Sequence, residues 1–596
     1  MKKKPYKIRL TGLLLLILAA LSFSCQSKRA VTVKELEDHI RYLSSDSLKG
    51  RLTGSAGDSL AAEYIRHALL SYGFKPLILD GFQHYKVISK LVAGKNNFME
   101  TGGKSLIAEQ DFMPMPFSSD SVLDTGVIFA GYGFDIKSDT LTWNDYAGID
   151  VRGKWVLILR ADPEADKSIS NFIPFSGDRD KALMAKDMGA AGVLLVSGQL
   201  SNPEDKFEPL NSNDFSVGIP VIRIKREIAD LILSKAGRNI NQLEQRLNAR
   251  RSPFSFATGM TVSAGTEVKR EMKTTRNVVM ILPGEDSTLK KQYIIMGAHF
   301  DHLGMGGPGS GSRVPDTVGI HHGADDNASG VSMMLALAQE FAYTPGSHKR
   351  SIICIAFSGE EEGLLGSKHY VEDPGIDLSK VNAMINLDMV GRLKETNVLD
   401  VSGVGTADSL RNIVLANSDT SVIKLALSDE GYGPSDHSSF YGKNIPVLFY
   451  TTGAHLDYHT PSDTYDKINY EGMVREASLI FSVEEKLADS PSRLKFREAG
   501  PVAGQTRDYR YRGITLGIMP DFAGNVKNGL RADFVSPGRP AALGGMKKGD
   551  IITAINGKTV NNIQDYMYRM NQLKRGQTIT VEIRRDDKKV VLLIQL

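Results

Sequence analysis

The chain has little cysteine, almost no excess charge of either sign and no long hydrophobic run beyond its first residues. Only two of its 596 residues are cysteines. Cys25 lies at the end of an N-terminal leader, so a disulfide framework is excluded. Cys354 stands in the apolar run 351–357, which predicts a small buried core residue and not a nucleophile. With 72 basic and 69 acidic residues, the net charge of +3 gives no electrostatic case for nucleic-acid binding.

The composition is that of folded domains in water. Hydrophobic residues make up 41% and charged residues 24% of the chain, which excludes a disordered chain and a polytopic membrane protein. Because 596 residues exceed what one hydrophobic core supports, the length predicts several domains, roughly three to four at ~150 residues each.

The N-terminus is typical of a targeting segment. Five basic residues within 2–9 precede the apolar stretch 10–23, which is too short to span a bilayer comfortably and matches a signal-peptide core. The end of this stretch, 21–25, resembles the lipobox of bacterial lipoproteins. That resemblance implies a lipoprotein-type signal peptide over 1–25, lipidation of Cys25, and a protein of the cell envelope or periplasm that touches the membrane only through its lipid anchor. Cleavage by an ordinary signal peptidase, which would release a soluble protein, stays open.

Three different residue patterns follow the leader along the chain. Apolar residues at three- and four-residue spacing predict helices over 33–43 and 59–70. Between 111 and 262, short β-type runs at 126–130, 155–159 and 192–196 are separated by turns, which predicts a distinct β-rich module. From 277 to 487, apolar strands alternate with helices, which indicates an α/β sheet with ligands at its strand ends. A linker over 491–510 leads to a C-terminal domain over 511–596.

Histidines and carboxylates recur at the predicted strand ends of the α/β part. In 297–304, a strand period of two would place His299 and Asp301 on one face, although a His near an Asp is more often an ordinary hydrogen-bonded pair. In 323–330, Asp325 and Asp326 stand before a helix, where two acids would usually form an N-terminal cap. Each motif alone is therefore a weak indication of metal.

Three further motifs complete the set. Glu360, Glu361 and Glu362 follow an apolar strand directly, where like charges repel unless cations lie among them. Asp388 ends another strand in 386–391, and His459 lies in the loop 457–464. Histidine and carboxylate ligands are what a catalytic zinc site open to water requires, so the five motifs together predict a metal centre.

In this order, these motifs resemble the di-zinc aminopeptidase and glutamate carboxypeptidase family, which includes the transferrin receptor. The resemblance implies two Zn²⁺ per chain, with Asp326 bridging both metals, Glu360 as general base, Asp301 supporting a ligand, and Tyr458 steadying the oxyanion. It implies the metal ligands His299, Asp326, Glu361, Asp388 and His459. The remaining nearby polar residues are expected in loops or in support of the ligands: His302, His321, His322, His437 and Asp436.

The same resemblance implies a three-layer α/β/α zinc-peptidase domain with a mixed sheet, divided into 31–110 and 265–490. The insertion 111–262 resembles a protease-associated (PA) domain, through glycine turns such as 131–133, and the alternative is an unrelated small β-rich insertion. The run 549–557 makes the C-terminal part similar to a PDZ domain of bacterial proteases. Residues 516–519 would then face a partner or substrate tail added as a strand, unless the domain only packs on its neighbour.

These features predict an exported zinc-dependent exopeptidase, an aminopeptidase that removes N-terminal residues from peptides. The metals would activate a water molecule, and Glu360 would pass its proton to the leaving amine. A carboxypeptidase of the same family is an alternative, but no basic pocket for a terminal carboxylate is visible. A one-zinc glutaminyl cyclase relative would use fewer ligands. A catalytically silent, receptor-like peptide-binding protein is the alternative from another class.

Overall fold

The computed structural model describes residues 30–138, 140–167, 169–210, 215–394, 396–499, 514–521, 526 and 528–596. The predicted leader with Cys25 lies outside these residues, as does the second half of the predicted linker. No helix in the described ranges has the length and apolar character needed to cross a membrane. The helices are α1 Val33–Leu43, α2 Ala56–Ser71, α3 Asp178–Asp187, α4 Arg226–Leu233, α5 Ile240–Arg250, α6 Gly330–Tyr343, α7 Leu365–Glu372, α8 Leu410–Ala416, α9 His437–Tyr441, α10 Tyr470–Asp489, α11 Pro540–Leu543 and α12 Ile563–Asn571.

The strands follow the same chain order. They are β1 Lys75–Pro76, β2 Phe82–Ala93, β3 Phe98–Thr101, β4 Lys104–Ser105, β5 Phe112–Pro114, β6 Ser121–Ala130, β7 Asp135–Lys137, β8 Thr142–Asn144, β9 Trp155–Leu159, β10 Gly192–Val196, β11 Val221–Ile224, β12 Ser255–Thr266, β13 Val268–Leu282, β14 Tyr293–His299, β15 Ser351–Phe357, β16 Val381–Leu387, β17 Val398–Ser402, β18 Lys424–Leu427, β19 Val447–Thr451, β20 Ile518–Pro520, β21 Leu530–Val535, β22 Ile551–Ile555, β23 Lys558–Thr559, β24 Thr578–Arg585 and β25 Lys588–Gln595.

The first two helices show why local sequence specifies these elements. Thr32 and Glu35 form a reciprocal capping box at the start of α1, whose buried face spans the predicted 33–43. The second predicted helix, 59–70, begins three residues earlier than expected because Ser55 caps it by accepting a hydrogen bond from the Asp58 N–H. Both helices are thus confirmed, the second with a shifted start.

The largest sheet carries the α/β part of the chain. Its order is β1-β13-β15-β14-β16-β19-β17-β18, with β2 also paired to β13. Strands β15, β14, β16 and β19 run parallel, whereas β13 and β17 pair antiparallel, so the sheet is mixed. Helices α1, α2, α6 and α10 share one apolar core with the sheet, and α7 and α9 pack with its other face. The predicted three-layer α/β/α fold is confirmed.

A second sheet belongs to the inserted module. Its order is β4-β3-β12-β6-β9-β10-β11-β5, and the predicted runs 126–130, 155–159 and 192–196 all lie in its strands. The long strands β2 and β13 pair antiparallel and lead the chain out to this module and back. The sheet begins with β3 at Phe98 and ends with β12 at Thr266.

The C-terminal unit is a sheet of order β20-β21-β22-β24-β25 with its own apolar core. It packs on both neighbours. Phe534 of β21 lies 4.3 Å, centroid to centroid, from the ring of Tyr432 in the α/β part. At the contact with the inserted module, the Arg569 guanidinium of α12 binds both carboxylate oxygens of Asp187 on α3, at 2.6 and 2.9 Å. The three units therefore form a contiguous assembly.

Breaking the pair between α12 and α3 is expected to loosen this assembly. Arg569→Met removes a guanidinium whose side chain is 2% exposed and leaves the largely buried Asp187 carboxylate with Lys558, at 3.5 Å, as its cation. Truncating one partner of such a pair costs roughly 2 to 5 kcal/mol. Hydrogen exchange in α3 and α12 should accelerate. The control is Lys589→Met, which removes an exposed partner of Glu582, and unchanged exchange in both helices would contradict the expectation.

Candidate metal centre

The candidate residues meet at one edge of the largest sheet. His299 ends β14, Glu360 and Glu361 follow β15, and Asp388 comes directly after β16. Asp326 lies in the turn before α6, and His459 lies in the loop after β19. Because the carboxyl ends of parallel strands share an edge of the sheet, residues far apart in sequence are brought together there. The structure places all five predicted ligands in this one cluster.

Asp326 stands at the centre of the cluster. Its Oδ1 lies 3.3 Å from His299 Nε2, and its Oδ2 lies 3.2 Å from His459 Nε2. On the first side, His299 Nε2 is also 3.5 Å from Asp388 Oδ1. On the second side, His459 Nε2 is also 3.1 Å from Glu361 Oε2. One carboxylate thus offers one oxygen to each of two donor groups.

The charges of the cluster balance each other in pairs. Burial would raise the pKa of Asp326, but the imidazoles of His299 and His459, close to its two oxygens, hold it well below its usual range. Burial would lower the pKa of His299, but the carboxylates of Asp388 and Glu360 raise it well above its ordinary value. Burial disfavours charge on each of these groups, and the oppositely charged neighbours act against that effect.

The donor set fits zinc. His299, Asp326 and Asp388 each offer a ligand atom within 4.8 Å of the others, and so do His302, Asp326 and Glu361. Among the described residues, Asp388 Oδ1 and His459 Nε2 are buried without a hydrogen-bond partner. Unpaired buried polar atoms are costly, and a cation bound by nitrogen and carboxylate ligands would satisfy both.

Asp301 holds the loop that carries the two glutamates. β14 ends at His299, so Asp301 lies beyond the strand, and its Oδ1 is 3.6 Å from His299 Nδ1. The N–H groups of Glu360 and Glu361 donate to the two Asp301 oxygens, at 3.1 and 3.4 Å. Thr53 also donates to Asp301, at 3.0 Å. The prediction that His299 and Asp301 lie on one face of a single strand is wrong, because Asp301 contacts His299 from the loop after β14.

The Glu360 side chain is half-buried beside the ligands. Burial raises its pKa well above the usual range, and the neighbouring carboxylate of Glu361 adds to this effect. Tyr458 stacks its ring on that of His459, with 3.8 Å between centroids, and burial raises its pKa. Glu360 and Tyr458 therefore both border the donor groups.

The sequence did not predict the roles of two acids next to the candidate ligands, Asp463 and Asp325. The Asp463 Oδ2 accepts the backbone N–H groups of Asp325 and Asp326, at 2.9 and 3.0 Å, and its Oδ1 accepts from Arg392 at 3.3 Å. Asp325 Oδ1 accepts from the Gly391 N–H at 2.6 Å, and Asp325 Oδ2 lies 3.1 Å from His455 Nε2. These contacts tie the loops of Asp326, Asp388 and His459 together.

The interpretation of Asp325 as a helix cap is wrong. Helix α6 begins only at Gly330 and has no side-chain cap, so the Asp325 carboxylate is left to join neighbouring loops. Asp463 stands four residues after His459 in the motif 457–464, but a buried acceptor of backbone N–H groups has no local sequence signature.

The additional polar residues take different positions. His321 is buried between Ser312 and the Gly319 carbonyl, and His322 lies 3.0 Å from Asp46 at the surface. His437 is buried with its ring stacked on Phe449 at 4.5 Å, and burial lowers its pKa to about 3. His302 and Asp436 lie closer to the candidate ligands. His302 Nδ1 is 2.7 Å from Glu361 Oε1. Asp436 is buried next to Ser435, whose hydroxyl donates to Asp388 at 2.7 Å.

Comparison with family models gives three matches. Residues 277–483 match peptidase family M28, residues 125–232 match the PA domain, and residues 521–596 match the PDZ domain. The PA prediction for the insertion is confirmed, and the alternative of an unrelated β-rich module is discarded. The PDZ prediction for the C-terminal unit is confirmed as well.

Curated relatives are named aminopeptidases. The chain is 26% identical to Aminopeptidase YwaD of Bacillus subtilis over 457 residues, which are 73% of this chain and 81% of that protein. It is 27% identical over 232 residues to a probable leucine aminopeptidase of Trichophyton verrucosum, covering 36% of this chain and 57% of the fungal protein. The structure of BSAP, a zinc aminopeptidase from Bacillus subtilis, aligns with a TM-score of 0.46 at 21% identity, covering 79% and 99% of the two chains.

Proposed function

We propose that this chain, which carries a peptidase family M28 domain together with a PA domain and a PDZ domain, is an exported two-zinc aminopeptidase. One observation carries the proposal of two metals. The two oxygens of Asp326 face separate donor groups, His299 with Asp388 on one side and His459 with Glu361 on the other. The names of the relatives support the choice of an aminopeptidase.

The residues around the donors suit peptide hydrolysis. Bound zinc supplies a Lewis acid that makes water acidic and polarises a carbonyl group. Glu360 lies outside both donor groups, so its carboxylate is free to accept the proton of the attacking water and to deliver it to the leaving amine. Asp301 fixes the loop of Glu360 through the backbone, and the Tyr458 hydroxyl would donate a hydrogen bond to the oxyanion.

Substrate, partner and location complete the proposal. The substrates are peptides with a free N-terminus, and the outer edge of β20, which pairs with no second strand among the described residues, would add a peptide tail as a strand. The basic and apolar leader supports export, and the lipobox-like residues 21–25 support a lipid anchor at Cys25 in the periplasm. Nothing in the charge balance favours a nucleic-acid partner.

The proposal can be tested on protein that lacks the leader. We expect about two zinc ions per chain by metal analysis and rapid hydrolysis of leucine p-nitroanilide. The N-acetylated nitroanilide should be inert, since it lacks the free amine. Cleavage of a blocked dipeptide with a free carboxylate would instead establish the carboxypeptidase alternative. Protein that binds no metal and hydrolyses none of the three would point to a receptor-like binding protein.

A further inference from the structure

We infer that His302 is a positioning residue that fixes the Glu361 carboxylate at the second metal position, an inference that rests on the proposed function. His302 Nδ1 lies 2.7 Å from Glu361 Oε1, and the two side chains are 0% and 9% exposed. A carboxylate only accepts, so the imidazole nitrogen donates in this contact. The other oxygen, Glu361 Oε2, lies 3.1 Å from His459 Nε2. One oxygen of Glu361 therefore accepts a hydrogen bond from His302, and the other faces the second metal position.

The imidazole of His302 is held in place from several sides. Its backbone N–H donates to the Arg51 carbonyl at 3.2 Å. A Cβ added at Gly323 would lie 2.7 Å from His302 Cδ2, so no side chain larger than glycine fits beside the ring. The ring of His459 lies 5.7 Å away, centroid to centroid, in a T-shaped arrangement. A ring confined in this way gives a defined direction to the hydrogen bond on Glu361.

Direct ligation by His302 is the competing role, because one of its nitrogens lies within 4.8 Å of ligand atoms of Asp326 and Glu361. Two observations favour positioning. His302 Nδ1 is 3.9 Å from Asp326 Oδ2 but in hydrogen-bond contact with Glu361. Moreover, His302 would be a fourth protein ligand beside Asp326, Glu361 and His459, and a catalytic zinc site keeps one position open to water.

The physical consequence is an ordered ligand. A glutamate carboxylate rotates broadly about its last torsion, and a donor on one oxygen restricts that rotation before the metal binds. Loss of a partner that orients a ligand typically weakens metal affinity by about 10- to 100-fold. The effect should fall on one of the two zinc ions, because the contacts of His299 and Asp388 do not involve His302.

Three variants separate the roles. His302→Asn carries an amide nitrogen near the place of Nδ1, His302→Gln carries one farther out, and His302→Ala carries none. Zinc affinity of the metal-free protein would be measured by competition with a chromophoric chelator, and the visible spectrum would be recorded after cobalt substitution. The control is His322→Ala, whose ring contacts Asp46 at the surface and no ligand. Circular dichroism would establish that each variant is folded.

We expect His302→Ala and His302→Gln to weaken one zinc by about 10- to 100-fold, and His302→Asn to recover most of the affinity with an unchanged cobalt spectrum. If the alanine variant does not fold, the comparison of Asn with Gln decides alone. Wild-type affinity in the alanine or glutamine variant would overturn the inference. So would an asparagine variant that loses zinc or changes the cobalt spectrum, as removal of a direct ligand would. A wild-type protein that binds no zinc would refute the proposed function itself.

Discussion

Glu360→Gln is expected to keep both zinc ions and to lower kcat by about 10²- to 10⁴-fold, the usual contribution of a positioned general base. Glutamine has the shape of glutamate but cannot accept the proton of the attacking water. Glu360 belongs to neither donor group, so the metal ligands stay complete. Its backbone N–H, which donates to Asp301 at 3.1 Å, is unaffected by the change. Zinc analysis and the kcat and KM for leucine p-nitroanilide would measure both halves of this expectation.

Glu362, two residues after Glu360, supplies a matched control. Glu362 is half-buried in the same loop, and burial together with the carboxylates of Asp301 and Asp58 raises its pKa to about 8. It has no place in either donor group, so Glu362→Gln should change kcat far less than Glu360→Gln. Equal losses in the two variants would mean that the loop as a whole, and not one base, is responsible. Loss of zinc from Glu360→Gln would make Glu360 a ligand.

The sequence singles out the candidate ligands because they stand in local motifs, and it misses the groups that act through the backbone. His299 ends an apolar strand and Asp388 and Glu361 follow two others, and the alternation of these strands with helices reveals a sheet edge. Asp463 accepts N–H groups of residues 325 and 326, more than 130 positions earlier, and no residue pattern encodes that pairing. Its neighbour His459 was found only because imidazole is itself a metal ligand.

The contacts between domains have the same limit. Arg569 and Asp187 are 382 positions apart, and each is an ordinary charged residue on an amphipathic helix until the fold joins them. The start of the inserted sheet at Phe98 is equally hidden, because β3 has the same local texture as the long strand β2 before it. Propensity and periodicity specify elements, whereas the partners of an edge strand are decided by tertiary packing.

Arg51 is expected to be the most sensitive position for stability in the catalytic unit. Its side chain is buried, and it donates to the carbonyls of four separate residues: Phe300 at 2.6 Å, His322 at 2.8 Å, Gly323 at 3.0 Å, and Leu43. Arg51→Met would take a donor from each of these four carbonyls, of which Gly323 also accepts from the Ala328 N–H at 3.1 Å, at a cost of roughly 3 to 5 kcal/mol. Scanning calorimetry should show the transition of this unit lowered by roughly 10 °C.

The consequence should extend to the metal centre, because Phe300 follows His299 directly and Gly323 lies three residues before Asp326. Loss of the guanidinium frees the two loops that carry these ligands, so Arg51→Met should also bind zinc more weakly in chelator competition. Arg411→Met is the matched control, since Arg411 is 41% exposed and pairs with Asp429 at the surface, at 2.8 Å. That change should cost no more than about 0.5 kcal/mol. The contradicting result is an Arg51→Met protein with the same melting temperature and zinc affinity as Arg411→Met. That result would mean that water satisfies the carbonyls and that the segment around Arg51 does not stabilise the metal centre.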